Sequence, residues 1–380
     1  MNLHSGTSPP ALSCTREKVF DQGDEYFEAL IDAIECAQHS IKLEVYIFDD
    51  DVIGERTSAA LIKAAARHVS IEVIVDAAGS YTSLDWLSTN LQSQSIQVRI
   101  YHPLPWQFSH YPRSIKQGNT LDKALYFLRK VNRRDHRKLC IIDNEQLFTG
   151  SFNISVVHVS TSNGGEGWRD FGVQLTGPRV ADIALQFDAV WQQQTDPILK
   201  RNGHHYLANI SAWGRRRKNL KFEQIINAAR TRVWLVSAYF APSARVVRAL
   251  KHAVKRGANV SIMVPARSDI HLFPFLTATY YRDLLSCGIR IYEFQPAVLH
   301  AKLLIADDTC VLGSTNFNHR SFLHDLELDV FLDKPESLHK LEKAFSDDLT
   351  KCIEVDAQAS NTTSKNWLLK AFSRTLRYWM

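Results

Sequence analysis

Apolar positions along the chain alternate between two rhythms: spacings of three and four, which predict helices, and short unbroken or period-two runs, which predict strands. FEALIDAIECA (residues 27–37) has the first rhythm and leads into the strand-like SIKLEVYIF (40–48). A helix near 55–67 precedes the strand SIEVIVDA (70–77), and another near 84–91 precedes IQVRIY (96–101). Such alternation predicts a largely parallel sheet covered by helices. The same order then returns: FEQIINAA (222–229) precedes VWLVSAYF (233–240), a helix near 244–256 precedes NVSIMVPA (259–266), and one near 277–285 precedes IRIYEF (289–294). Laying Phe27 on Phe222, Tyr46 on Tyr239, Leu61 on Leu250 and Ile96 on Ile289 makes the chain an internal repeat of whole half-domains. The expected fold class is α/β, with two halves (1–200 and 201–355) and a tail (356–380). Each half is a largely parallel or mixed sheet covered by helices, and a pseudo-twofold axis brings both to one shared cleft.

Each half also holds a stretch that periodicity alone does not explain. In LHAKLLIADDTCVLGSTNFN (299–318), period two sends His300, Lys302 and Leu304 to one side of a strand and Ala301, Leu303, Ile305 and Asp307 to the other. A turn at Asp307-Asp308-Thr309 and a second apolar run lead to Gly313-Ser314-Thr315-Asn316. HRKLCIIDNEQLFTGSFN (136–153) repeats the pattern with His136, Lys138 and Asp143, then Gly150, Ser151 and Asn153. One copy would read as a buried strand with a satisfied histidine; two copies with the same tail ask for chemistry. Here the sequence resembles the phospholipase D superfamily, whose defining feature is this motif in duplicate. The resemblance covers nearly the whole chain and points within the superfamily to bacterial cardiolipin synthases of the class lacking N-terminal transmembrane helices. It is carried by LEVYIF with Glu44, by the segment from Trp168 through Gly177 and Pro178 to Phe187 and Trp191, and by the run from Gly313 to Ser321. One position departs: where relatives often carry an acidic residue two places after the second-motif asparagine, this chain has Asn318.

The motif residues His136, Lys138, Asp143, His300, Lys302 and Asp307 form the candidate catalytic set. Attack on a phosphodiester builds negative charge on the non-bridging oxygens, which Lys138 and Lys302 would offset as fixed cations. Asn153 and Asn316 would add hydrogen bonds to the same oxygens, with Ser151 and Ser314 as nearby support. No cluster of Asp and Glu with divalent-metal spacing accompanies the motifs, so neither metal nor cofactor is expected. One histidine would attack phosphorus while the other protonates the departing alkoxide, giving a phosphohistidine and a two-step transfer. The sequence symmetry leaves the roles open; the resemblance implies His136 as nucleophile and His300 as acid and base. Each imidazole needs a carboxylate to set its tautomer. Laying Val173 on Val330 puts Asp170 opposite Glu327, and these are the candidates for orienting His136 and His300 respectively. Asp143 and Asp307 point away from the histidines on their strands and are assigned to structural hydrogen bonding behind the site.

Length and composition change this picture little. At 380 residues the chain suits two fused halves, each able to bury a core. No apolar run reaches membrane-spanning length and MNLHSGTSPPALSC lacks the apolar core of a signal peptide, so the expectation is a cytoplasmic protein held peripherally on the inner face of the cell membrane. The six cysteines are scattered and read as reduced packing residues. A net charge of +5 favours anionic partners without choosing between lipid and nucleic acid.

The repeat is uneven in one place. Ile96 and Ile289 are 193 residues apart but His136 and His300 only 164, so the first half holds 29 more residues before its motif. This insertion, 102–135, mixes Trp106, Phe108, Tyr111, Tyr126 and Phe127 with Arg113, Lys116, Lys123, Arg129, Lys130, Arg133 and Arg134. It reads as a membrane interface, a lid over an anionic lipid, or a plain cover for the sheet. The basic run from Trp213 to Lys218 reads as a solvated linker, and His204-His205 as surface residues. WLLKAFSRTLRYWM (367–380) reads as an amphipathic helix that lies on anionic lipid or packs on the core.

What the resemblance implies is phosphatidyl transfer: a phosphatidyl group is taken from phosphatidylglycerol or another phospholipid, with phosphatidylethanolamine as a further lipid partner, and passed to a headgroup hydroxyl to give cardiolipin. Two alternatives use the same residues: a phospholipase D with water as acceptor, and a nuclease of the same fold. Against nucleic acid, the basic residues are interleaved with apolar ones and form no ordered stacking platform. No protein partner is read from the sequence.

Overall fold

The structure, a computed structural model, describes residues 16–92, 94–194 and 205–356. Among these residues the first half builds a seven-stranded sheet from β1 (Arg16–Phe20), β2 (Ser40–Val45), β3 (Ser70–Asp76), β4 (Gln97–Tyr101), β5 (Leu139–Ile142), β6 (Gln146–Gly150) and β7 (Gly172–Thr176), in the order β1-β7-β6-β5-β2-β3-β4. The second half builds an eight-stranded sheet from β8 (Tyr206–Ala208), β9 (Arg232–Ser237), β10 (Asn259–Pro265), β11 (Arg290–Phe294), β12 (Lys302–Ala306), β13 (Thr309–Gly313), β14 (Leu328–Leu332) and β15 (Cys352–Glu354), in the order β15-β11-β10-β9-β12-β13-β14-β8. Without β1, β8 and β15 the two are the same six-stranded sheet. β2, β3 and β4, like β9, β10 and β11, run parallel, and each motif hairpin is added antiparallel. The sheets are therefore mixed.

The antiparallel addition fixes where the chemistry sits. Leu139 pairs with Glu44 and Lys302 with Ser237, so each motif strand begins beside the end of β2 or β9. That sheet edge is where the loops after parallel strands emerge, and it is the edge at which α/β folds carry their sites. The strands follow from alternating apolar positions: Ile41, Leu43 and Val45 of β2 and Ile71, Val73 and Val75 of β3 each share one buried face, while β12 is buried on both, with Leu303 and Ile305 on one face and Leu304 and Ala306 on the other.

Helices Gly23–Cys36 and Val52–Ala66 cover the outer face of the first sheet, and an outer core there gathers Phe27, Leu30, Ile41, Leu61 and Phe148. The second sheet repeats this with Phe222, Ile226, Leu235 and Leu250. The inner faces share one core, in which Leu139, Ile141, Val173 and Phe187 of the first half are continuous with Leu303, Ile305, Val330 and Phe345 of the second. Separating the halves would expose that apolar surface, so neither half is a self-contained unit.

Three sequence expectations change. The run from Trp213 to Lys218 is no linker: it lies within helix Ala212–Ala228, capped by Ser211, with Trp213 exposed and Lys218 buried at 1%. Asp143 accepts from the backbone of residues 38 to 40 and Asp307 from residues 230 to 232, a register that puts Ile47, not Tyr46, opposite Tyr239. In the insertion, a 3-10 turn (Phe108–Arg113) and helix Thr120–Arg129 divide the mixture between inside and outside. Tyr111, Phe127 and Lys123 face inward, with Lys123 Nζ donating to Tyr111 O at 2.7 Å, while Trp106, Phe108, Leu121, Leu125 and Leu128 face out. His204 and the tail from residue 357 lie outside the described residues, and His205 stands 3.7 Å from Asp333. No helix among the described residues is long and apolar enough to cross a membrane.

Candidate active site

The chain entering each motif strand leans on the opposite half. Residues 134 to 136 exchange backbone hydrogen bonds with Leu326, giving a parallel bridge between Asp135 and Leu326. Residues 298 to 300 do the same with Arg169, giving a bridge between Leu299 and Arg169. One residue beyond each bridge a histidine meets a carboxylate. His136 Nδ1 is 3.1 Å from Glu327 Oε2, and His300 Nδ1 is 3.1 and 3.2 Å from the two oxygens of Asp170. Asp170 and Glu327 each contact one of the two histidines, but in the reverse of the expected pairing. Alignment of the halves matched the acids to each other correctly; it could not reveal that each bridge crosses between halves.

With Nδ1 of each ring engaged, Nε2 is left for chemistry. Lys302 Nζ lies 3.1 Å from His300 Nε2 and also donates to His300 O, while Lys138 Nζ donates to His136 O at 2.8 Å. Asn153 Oδ1 accepts from Ile47 N at 3.3 Å and Asn316 Oδ1 from Tyr239 N at 3.2 Å, which fixes both amides and makes their NH2 groups the donating ends. Ser151 and Ser314 differ from expectation. Ser151 Oγ donates to Phe171 O and accepts from Phe171 N; Ser314 Oγ donates to Glu327 and accepts from Leu328 N. Their single protons are committed, so they hold β7 and β14 against the motif hairpins and do not donate to a phosphate. The preceding glycines make room for this: a Cβ on Gly150 or Gly313 would run into the backbone of Phe171 or Leu328.

Asp143 and Asp307 belong to the motif but not to the cleft. Each sits at the far end of its strand at φ 54° or 50°, left-handed backbone that aspartate tolerates, and each caps three backbone N–H groups. Those bonds hold both carboxyls below their ordinary range despite the opposing effect of burial.

Charge in the cleft is unbalanced. Burial and the neighbouring Lys302 ammonium push Lys138 down to about 7, and burial lowers Lys302 to about 8 against the pull of Asp170 and Glu327. Burial, Lys138 and Lys302 push His136 well down; burial and Lys302 lower His300 too, with Asp170 opposing. Two buried cations whose charge is disfavoured by burial make a receptor for an anion, whose charge would restore them.

The surrounding residues include several that the sequence reading left without a role. Tyr46 stands edge-on to His136 at 5.1 Å between centroids, and Tyr239 faces His300 at 6.3 Å. Lys218 Nζ donates to Thr315 Oγ1 at 2.9 Å and supplies positive charge near Glu327. His158 and Trp168 pack on His300 at 5.7 and 5.8 Å. The tyrosines end matching strands and were legible in principle; His158 and Lys218 have no sequence signal. Among the described residues, His158, Asp170 and His300 have ligand atoms within 4.8 Å of one another, close enough to share an ion. Their nitrogen–carboxylate separations of 2.7 and 3.1 Å suit protons, and a metal there would remove the N–H that orients His300.

The family model described as "Cardiolipin synthase, PLD-like domain" matches residues 30–164 and 222–349, one copy on each half. The chain belongs to this phospholipase D-like family of phospholipid-modifying enzymes. Among the family's curated proteins, cardiolipin synthase A of Pseudomonas aeruginosa is 28% identical over 92% of this chain and 68% of its own length. Cardiolipin synthase of Geobacillus sp. (strain WCH70) is 29% identical over 92% and 69%. Phosphatidylserine synthase of Haemophilus influenzae, a solved structure, shares the fold at a TM-score of 0.73 and 14% identity, covering 97% of this chain and 96% of that one. Asn318, the position of the departure noted in the sequence, accepts from Ser321 N at 2.8 Å as the cap of helix His319–Leu323. Asparagine and aspartate serve equally there, so the departure leaves the cleft unaltered.

Proposed function

We propose that this chain is a phosphatidyltransferase of the cardiolipin synthase type, moving a phosphatidyl group between phospholipids through a phosphohistidine. The observation that carries the reading is the pair of imidazoles from opposite halves, each held at Nδ1 by a carboxylate beside two buried ammonium groups. The diester's oxygens lie on Lys138, Lys302, Asn153 and Asn316. His136 Nε2 attacks phosphorus, and the proton on His300 Nε2 goes to the leaving alkoxide as its bond to phosphorus breaks. In the second step neutral His300 takes the proton of the incoming hydroxyl, whose oxygen displaces His136.

Unequal carboxylates support this division of roles. Despite burial, His300 and His158 hold Asp170 well below its ordinary range, whereas burial raises Glu327. A firmly ionised Asp170 favours an imidazolium at His300, the state an acid needs, and the diester's charge adds to that effect. His136, pressed lower by both lysines, is the neutral nucleophile.

The substrates are phosphatidylglycerol as donor and a second lipid headgroup as acceptor, phosphatidylglycerol again or a headgroup related to phosphatidylethanolamine. The enzyme meets them peripherally on the inner face of the cell membrane. Helix Thr120–Arg129 supports this by turning Leu121, Leu125 and Leu128 outward and a lysine inward, beside Trp106 at 64% and Phe108 at 59% exposure, just before the chain enters the first motif. Exposed Arg129 and Lys130 follow the stripe, complementing anionic headgroups.

Purified protein given labelled phosphatidylglycerol, with and without phosphatidylethanolamine, is expected to yield cardiolipin. Phosphatidic acid as the main product in both cases would make it a hydrolase. Glutamate at Leu121, Leu125 and Leu128 together is expected to abolish flotation with anionic vesicles; undiminished flotation removes this face from the reading.

A further inference from the structure

We propose that His158 is a positioning residue for proton transfer, holding Asp170 and through it the ring of His300. The proposal rests on the role of His300 as acid and base given above.

His158 closes a short turn, Val156–His158, after the first motif and is buried at 2%. Its Nε2 accepts the backbone N–H of Asn153 at 3.2 Å, so the ring proton sits on Nδ1. Nδ1 is 2.7 Å from Asp170 Oδ2, a close contact although its N–H is not aligned as in a linear hydrogen bond. The ring is held edge-on by Phe152 at 5.6 Å and Trp168 at 5.7 Å, and both His158 and Trp168 pack on His300. One imidazole thus ties the backbone of a phosphate-binding asparagine to the carboxylate of the acid. On the other side the position matching His158, five residues past the motif asparagine, is Ser321, and Glu327 is held by the hydroxyls of Ser314 and Ser321 in place of a second imidazole. The asymmetry places the extra support on the histidine that must first give up a proton and then take one back.

This role predicts dependence on the leaving group. In the first step the new bond runs from His136 Nε2 to phosphorus, and the departing oxygen needs His300's proton only if it leaves as an alkoxide. p-Nitrophenolate leaves without one. The test compares first-turnover rates of wild type, His158→Phe and His158→Asn with phosphatidylglycerol and with phosphatidyl-p-nitrophenol as donors. His158→Phe keeps the aromatic volume and loses the N–H; His158→Asn keeps a donor at the Nδ1 position. The expected result is a loss of about 10- to 100-fold for His158→Phe with phosphatidylglycerol, less than about threefold with the nitrophenyl donor, and partial recovery in His158→Asn. The ratio of the two donors' rates does not depend on how much protein folds, so a poorly folding variant is still informative. Equal losses on both donors, or no loss on either, would overturn the proposal and leave His158 a core histidine. A His300→Ala enzyme that is no more impaired with phosphatidylglycerol than with the nitrophenyl donor would instead overturn the role of His300, and this proposal with it.

Discussion

The two sides of the cleft have the same backbone and different proton chemistry. His136 and His300 each lie just before a motif strand, each follow by one residue a bridge to the other half, and each meet a carboxylate at 3.1 Å. Yet Glu327 is a buried acid raised by its surroundings, held by Ser314 and offset by Lys218, while Asp170 lies between two histidines that keep it ionised. Duplication accounts for the matched geometry, and the neighbours of each acid are the basis of the proposed division of labour. A symmetrical fold need not give interchangeable halves.

The largest expected effect separates the two rings outright. His136→Ala is expected to lose roughly 10⁴-fold or more in transfer, as removal of a nucleophile does, and to trap no labelled phosphoenzyme. His300→Ala should lose about 10²- to 10⁴-fold while still forming the intermediate from the nitrophenyl donor. An intermediate that persists in His136→Ala and vanishes in His300→Ala would reverse the assignment. Next come the carboxylates. Asp170→Asn and Glu327→Gln should each cost on the order of 10²- to 10⁴-fold, but the nitrophenyl donor should rescue only Asp170→Asn, because only Asp170 serves the acid. Rescue of both, or of Glu327→Gln alone, would show that the asymmetry of the acids does not divide the roles.

A smaller effect concerns the shared cations. Lys138 is pushed down to about 7 and Lys302 to about 8, so at higher pH a bound anion must bring protons in with it. Inhibition by tungstate should therefore weaken by up to about tenfold per pH unit for each proton taken up. Affinity that is flat from neutral to alkaline pH would mean that the lysines stay charged without an anion.

Much of this was legible in the sequence because its signals are local. Period two put His136 with Lys138 and His300 with Lys302, and the strand-helix order gave β2, β3, β4, β9, β10 and β11 to within a few residues of their ends, whereas β1, β7, β8, β14 and β15 were not read from it. Aligning the halves found both acids. It could not find their crossed pairing, which depends on Asp135 meeting Leu326 and Arg169 meeting Leu299 across the shared core. Lys218 was lost in a run of basic residues because charge alone does not say which helical face turns inward. The serines were misread because proximity in sequence to Asn153 and Asn316 says nothing of where one hydroxyl proton goes.

The crossed pairing is best tested by imidazole nitrogen NMR on histidine-labelled enzyme, with resonances assigned through the His136 and His300 variants. Asp170→Asn is expected to shift the Nδ1 signal of His300 and leave that of His136 in place, and Glu327→Gln to do the reverse. A shift of His136 in Asp170→Asn with His300 unmoved would mean that each half supplies its own carboxylate, contrary to this account.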